Sequence, residues 1–150
     1  MSTPAGSPAD GARPPFSPTI ALLTLTRMVE LPVARMLEQH GLTLRKYGVL
    51  GHISRSPGLS MSEIARRSGI TVQSVHTLIR SLADAGLVRS EVESSGLSAS
   101  VVSTPAGGAL LREIAAEVAA LDATLFADDE MRQVSAALAE VIERKRSAAE

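Results

Sequence analysis

Three features of this 150-residue chain predict a mostly α-helical fold with one small β-hairpin. Apolar residues recur every three or four positions over several stretches, the period of a helix with one buried face. Between Leu87 and Ser103 that period gives way to short Val- and Ser-rich runs around a Ser94-Ser95-Gly96 turn, the pattern of a hairpin. Aromatics make up 2% of the chain against 45% apolar residues, so the core has to be built from Leu, Ile, Val and Ala. The length suffices for one domain with helical extensions.

Residues 1–17 hold four of the eight prolines with Gly, Ala and Ser, and are expected to form a disordered arm. Ser17-Pro18 reads as a cap followed by a first-turn proline, opening a helix to about Gln39. That helix is apolar on more than one face (Ile20, Leu22, Leu23, Met28, Leu31, Met36, Leu37), so residues 18–40 are expected to be covered on several sides as a dimerisation helix. Pro32 removes one backbone donor and should kink it. A second helix follows Thr43, from about Leu44 to Ser54, with Tyr47, Leu50 and Ile53 inward, and Ser56-Pro57-Gly58 marks a turn.

The segment Ser60–Val88, SMSEIARRSGITVQSVHTLIRSLADAGLV, carries the most information. Ser60 and Glu63 have capping-box spacing, so a helix begins at Met61. Gly69 sits where the chain must turn, Thr71 can cap the next helix, and Gly86 ends it after about Ala85. Ile64, Ala65, Ile70, Val75 and Leu78 fall where two steeply crossed helices press together. This is a helix-turn-helix, and the hairpin behind it is a wing. Thr104-Pro105 opens a long helix whose Leu111, Ile114, Val118, Leu121 and Leu125 step by three and four. Asp128 can cap a last helix in which Met131, Val134, Leu138 and Val141 repeat that stepping. Residues 41–103 thus form the winged helix-turn-helix, and residues 104–150 are C-terminal dimerisation helices.

Charge is distributed to match. Gly41–Ser90 has seven cations and two acids, whereas Glu91–Glu150 has five cations and eleven acids, so an overall charge of −1 hides a basic middle. A basic module of this size is the footprint of a polyanion-binding surface. Cysteine is absent, which excludes disulfides and thiolate chemistry in this chain. No catalytic fingerprint, phosphate-binding loop or paired-histidine metal motif is present, so the chain does not read as an enzyme and no cofactor or metal is expected. No secretory signal or membrane span is legible, and a cytoplasmic location is expected.

HGLTLRKYGVLGHI at His40–Ile53, the Ser60–Val88 unit followed by Arg89, and STPAG at Ser103–Gly107 occur in an order that resembles the MarR family of winged-helix transcription regulators. The resemblance covers about Thr19 to Arg146. It implies a homodimer that binds a pseudo-palindromic operator in double-stranded DNA, usually as a repressor, and is often released by a small aromatic or anionic effector. The matching effector cleft would lie between the first two helices and the long helix after the wing, near Met36, His40, Tyr47 and His52.

On the second helix of the motif, Thr71, Gln73, Ser74, His76, Thr77 and Arg80 are expected to face DNA. Gln73 is the only amide there for a bidentate contact to adenine. Arg55, Ser60, Ser62, Arg66 and Arg67 would hold phosphates and set register. The wing departs from the family pattern: from Glu91 to Ser103 it has no Lys or Arg but carries Glu91 and Glu93, leaving Arg89 at its base as the nearby cation expected to contact DNA. Weak minor-groove contact is therefore expected. The competing reading is a degenerate winged-helix protein that acts through protein contacts, with little or no DNA binding.

Overall fold

The computed structural model describes residues 15–92 and 99–148. Residues 1–14 of the expected arm and the Ser94–Gly96 turn lie outside them. The order is α1 (Pro18–Gln39), α2 (Leu44–Arg55), β1 (Leu59–Ser60), α3 (Met61–Ser68), α4 (Val72–Asp84), β2 (Val88–Val92), β3 (Ala99–Ser103), α5 (Pro105–Leu125) and α6 (Asp129–Ser147).

The caps read from sequence form. The Ser17 side chain accepts from the Ile20 N–H, Thr43 from Lys46, Thr71 from Ser74, Thr104 from Gly107 and Asp128 from Met131. Each satisfies one of the backbone donors that a helix leaves unpaired at its start. At Ser60 the capping box is complete, with Glu63 reaching back to the Ser60 backbone N–H at 2.9 Å. Gly69 has φ +64°, the left-handed value that ends α3 and turns the chain into α4.

Strand β1 is an addition to the expected hairpin. Leu59 pairs with Val101 and Ser60 with Ser100, so the sheet has three antiparallel strands in the order β1-β3-β2. Two residues give no alternation to read, and only the pairing with β3 makes them a strand. In the longer ladder Val88 faces Ser103 and Arg89 faces Val102.

The core lies where α2, α3, α4, the sheet and the start of α5 meet. Leu50, Ile53, Ile64, Val75, Ile79, Leu82, Val101 and Ile114 are buried in it. Of the expected α3–α4 contacts, Ile64, Ala65 and Val75 are buried and Ile70 and Leu78 pack beside them. Gly107 closes the joint between the motif and α5. A Cβ there would collide with the Leu87 carbonyl and lie 2.8 Å from Ser103 Oγ. Thr104 fastens the same joint: its hydroxyl donates to the Gly86 carbonyl at 2.6 Å and its N–H to Leu87 O at 3.0 Å.

The two chain ends are different. Leu37 is the one fully buried residue of α1, and α6 buries none. Ile20, Leu22, Leu23, Met28 and Leu31 on α1, and Leu138, Val141 and Ile142 on α6, are exposed. No described helix is long and apolar enough to cross a membrane.

Candidate nucleic-acid interface

Helix α4 is amphipathic with its two faces cleanly divided. Val75, Ile79 and Leu82 turn into the core, while Val72, Gln73, His76, Thr77 and Arg80 line one shallow depression on the opposite side. The steps from 73 to 76, 77 and 80 are three, one and three, which keeps those side chains on one helical stripe. Among the described residues, the side chains of Gln73, His76 and Arg80 have no hydrogen-bond or ion-pair partner within the protein. Their donors and acceptors are therefore free to face a ligand.

Other expected contacts are already engaged. Thr77 Oγ1 donates back to the Gln73 carbonyl at 3.3 Å, and Thr71 Oγ1 and Ser74 Oγ bond each other at 2.9 Å. Ser60 is engaged in the same way. Its hydroxyl donates to Glu63 Oε2 at 2.7 Å and its N–H goes to the same oxygen, so it has no donor left for a phosphate. The two Ser60 hydrogen bonds, backbone first, also hold the Glu63 carboxyl below its ordinary value of 4.5. Ser62 is exposed at the first turn of α3.

The basic side chains divide. Arg66 is exposed and makes no ion pair among the described residues, whereas Arg67 donates to Ser56 Oγ at 2.8 Å. Arg55 folds back over Gly51 and lines a hollow of about 270 Å³ with Tyr47, Leu111 and Ala115, between α2 and α5. It does not line the α4 depression. At the wing, Arg89 Nη2 lies 2.6 Å from Glu91 Oε1 and its Nε is 3.2 Å from the same oxygen. Residues two apart on a strand share a face, so the cation at the wing base is neutralised by the neighbouring acid.

The expected effector cleft is not one cleft. Met36 lines a hollow of about 450 Å³ between α1 and α5, with Pro32, Arg35, Gln39, Glu117 and Leu121. His40 adjoins it through a 2.8 Å bond from Nε2 to Glu117 Oε1. Tyr47 lines the separate α2–α5 hollow, and His52 a third of about 440 Å³ with Glu30, Arg45, Arg67 and Ser68. Tyr47 and His52 are five residues apart on α2, about 140° around the helix, and cannot face the same space. Burial, then the guanidinium groups of Arg55 and Arg67, hold the His52 imidazole below its ordinary value of 6.5. Arg35, Gln39 and Glu117 were not among the expected lining residues. Arg35 and Gln39 stand one turn apart on α1, on the same face as Pro32 and Met36, a spacing that could have marked them.

A sequence profile described as the MarR family matches residues 40–96. The HTH-type transcriptional repressor Rv2887 of Mycobacterium tuberculosis is 42% identical over 96 residues, 63% of this chain and 69% of that protein. The crystal structure of Rv2887, a MarR family protein, superposes with a TM-score of 0.68 at 32% identity, covering 89% of this chain and 96% of the other. Rv2887 has also been crystallised with DNA and with p-aminosalicylic acid. MepR, a transcription regulator of the multidrug efflux pump MepA of Staphylococcus aureus, shares the fold at 20% identity and a TM-score of 0.71, over 86% of this chain and 98% of its own.

Proposed function

The chain belongs to the MarR family, and from that premise we propose that it is a homodimeric, sequence-specific transcriptional repressor that reads double-stranded DNA with α4. The carrying observation is the exposed stripe of Gln73, His76 and Arg80, uncommitted within the described protein and backed by a core that fixes the helix. Gln73 presents an amide to adenine, and Arg80, late in α4, reaches phosphate or guanine. Arg66, Arg67, Ser62, Thr71, Ser74 and Thr77 contribute phosphate or van der Waals contacts that set register. Ser60 and Arg55 support the fold instead. The Arg89–Glu91 pair leaves the wing base without free positive charge, so recognition rests mainly on α4.

Dimerisation is supported by the uncovered apolar side chains of α1 and α6, which a second copy would bury together. Two recognition helices would then sit about 34 Å apart, on half-sites one helical turn apart. The hollow beside Met36 suits a small aromatic anion: its wall is largely apolar and Arg35 offers a charge for a carboxylate. The complex of Rv2887 with p-aminosalicylic acid supports that class of effector.

Titration of an operator duplex with the full chain, followed by fluorescence anisotropy, tests this reading. Gln73→Ala should relax sequence preference, losing about 1–3 kcal/mol of discrimination. Arg66→Ala should weaken all sequences alike and reduce the log–log salt slope by about 0.9 per protomer. Binding that ignores salt, and ignores both substitutions, would favour action through protein contacts.

A further inference from the structure

His40, at the C-terminal cap of α1, faces Glu113 and Glu117, which stand one turn apart on α5. One nitrogen or oxygen from each residue falls in a cluster whose atoms all lie within 4.8 Å of one another. His40 is well covered, with 13% of its side chain exposed, and bonds Glu117 at 2.8 Å. One imidazole does not balance two carboxylates. Among the described residues Glu113 has no ion pair, and Glu117 has none besides His40. Arg35 lines the adjoining hollow without coming within ion-pair distance. Two acids at i and i+4 on a helix repel by about 0.2–0.5 kcal/mol, a cost that among the described residues meets no ion-pair partner besides His40.

We propose that His40, Glu113 and Glu117 form a binding site for a divalent transition-metal ion of the zinc class. The ligand set is one nitrogen and two oxygens from two helices. Imidazole selects against magnesium and calcium, and the absence of cysteine excludes a thiolate site. Bonds of about 2.0–2.2 Å in a tetrahedral arrangement set neighbouring ligand atoms about 3.4 Å apart. The cluster needs a modest contraction to reach that, and exposed Glu113 is free to rotate inward. Three protein ligands leave a position for water or for an effector in the neighbouring hollow. The ion would tie the end of α1, where the chain enters the DNA-reading unit, to α5, where it leaves. The site stands independently of the proposed DNA contacts.

The test is zinc uptake by the metal-stripped full chain, measured by competition with a chromophoric chelator, with cobalt(II) absorption as the spectroscopic signature. One ion per chain is expected, with a rise in melting temperature. Glu113→Gln should weaken uptake by at least about tenfold, since even outer-shell changes at metal sites cost 10–100-fold. Glu113 is exposed, so the variant's fold should survive by circular dichroism, and His40→Gln should act in the same direction. Glu130→Gln, a surface acid on α6, should bind like the unaltered chain. Uptake no greater than that of a His40→Gln/Glu113→Gln double variant, or full affinity in Glu113→Gln, would overturn the proposal.

Discussion

Releasing Arg89 from Glu91 should strengthen DNA binding in a salt-dependent way. The pair is close, 2.6 Å from Nη2 to Oε1, but both side chains are roughly half exposed, at 60% and 47%. An exposed pair of this kind contributes about 0.2–1 kcal/mol, so Glu91→Gln should cost the free protein no more than that. What it changes is the charge at the wing base: each protomer gains one uncompensated cation. If that cation reaches a phosphate, the log–log salt slope steepens by about 0.9 per protomer, or about 1.8 for a dimer. Between about 50 and 200 mM salt, that difference makes the variant's affinity fall roughly twelvefold further than the unaltered chain's. Anisotropy titrations of one duplex at four salt concentrations give both slopes. Parallel slopes for Glu91→Gln and the unaltered chain would refute the reasoning, because Arg89 would then be remote from phosphate or already free.

Gly107→Ala forces a methyl group against the Leu87 carbonyl; it should cost about 1–3 kcal/mol or more in urea unfolding and loosen the α5 joint. Ser60→Ala removes the capping box at α3 and should cost about 1 kcal/mol by the same measure. Because the Glu63 carboxyl is held low, its contribution is present above pH 4.5 and lost as pH falls through the folded value; Ser60→Ala should flatten that acid limb. His52 acts nearer neutrality. The fold resists its proton, so stability should decline as pH drops below 6.5, and His52→Gln should lessen that decline in thermal melts across the range.

The helices and their caps were legible because each is a local signal. Ser60 with Glu63, Thr71 before Val72 and Thr104 before Pro105 commit the backbone within four residues. The exposed stripe of α4 was legible for the same reason, since helical spacing alone separates Gln73, His76 and Arg80 from Val75 and Ile79. What was not legible depends on contacts distant in sequence. Strand β1 exists only through its pairing with Ser100 and Val101 of β3, some forty positions away. The folding of Arg55 over Gly51 and the closure of Arg89 onto Glu91 are rotamer choices that a residue's type does not determine. The partition of the effector cleft could have been anticipated from the 140° between Tyr47 and His52. The approach of His40 to Glu113 and Glu117 could not, because a search for metal ligands by spacing sees an isolated histidine.

The most direct test of the central claim is selection of bound duplexes from a random DNA pool by the full chain. The account predicts enrichment of a pseudo-palindrome with half-sites about one helical turn apart, lost in Gln73→Ala. Failure to enrich any sequence, with binding indifferent to that substitution, would contradict it.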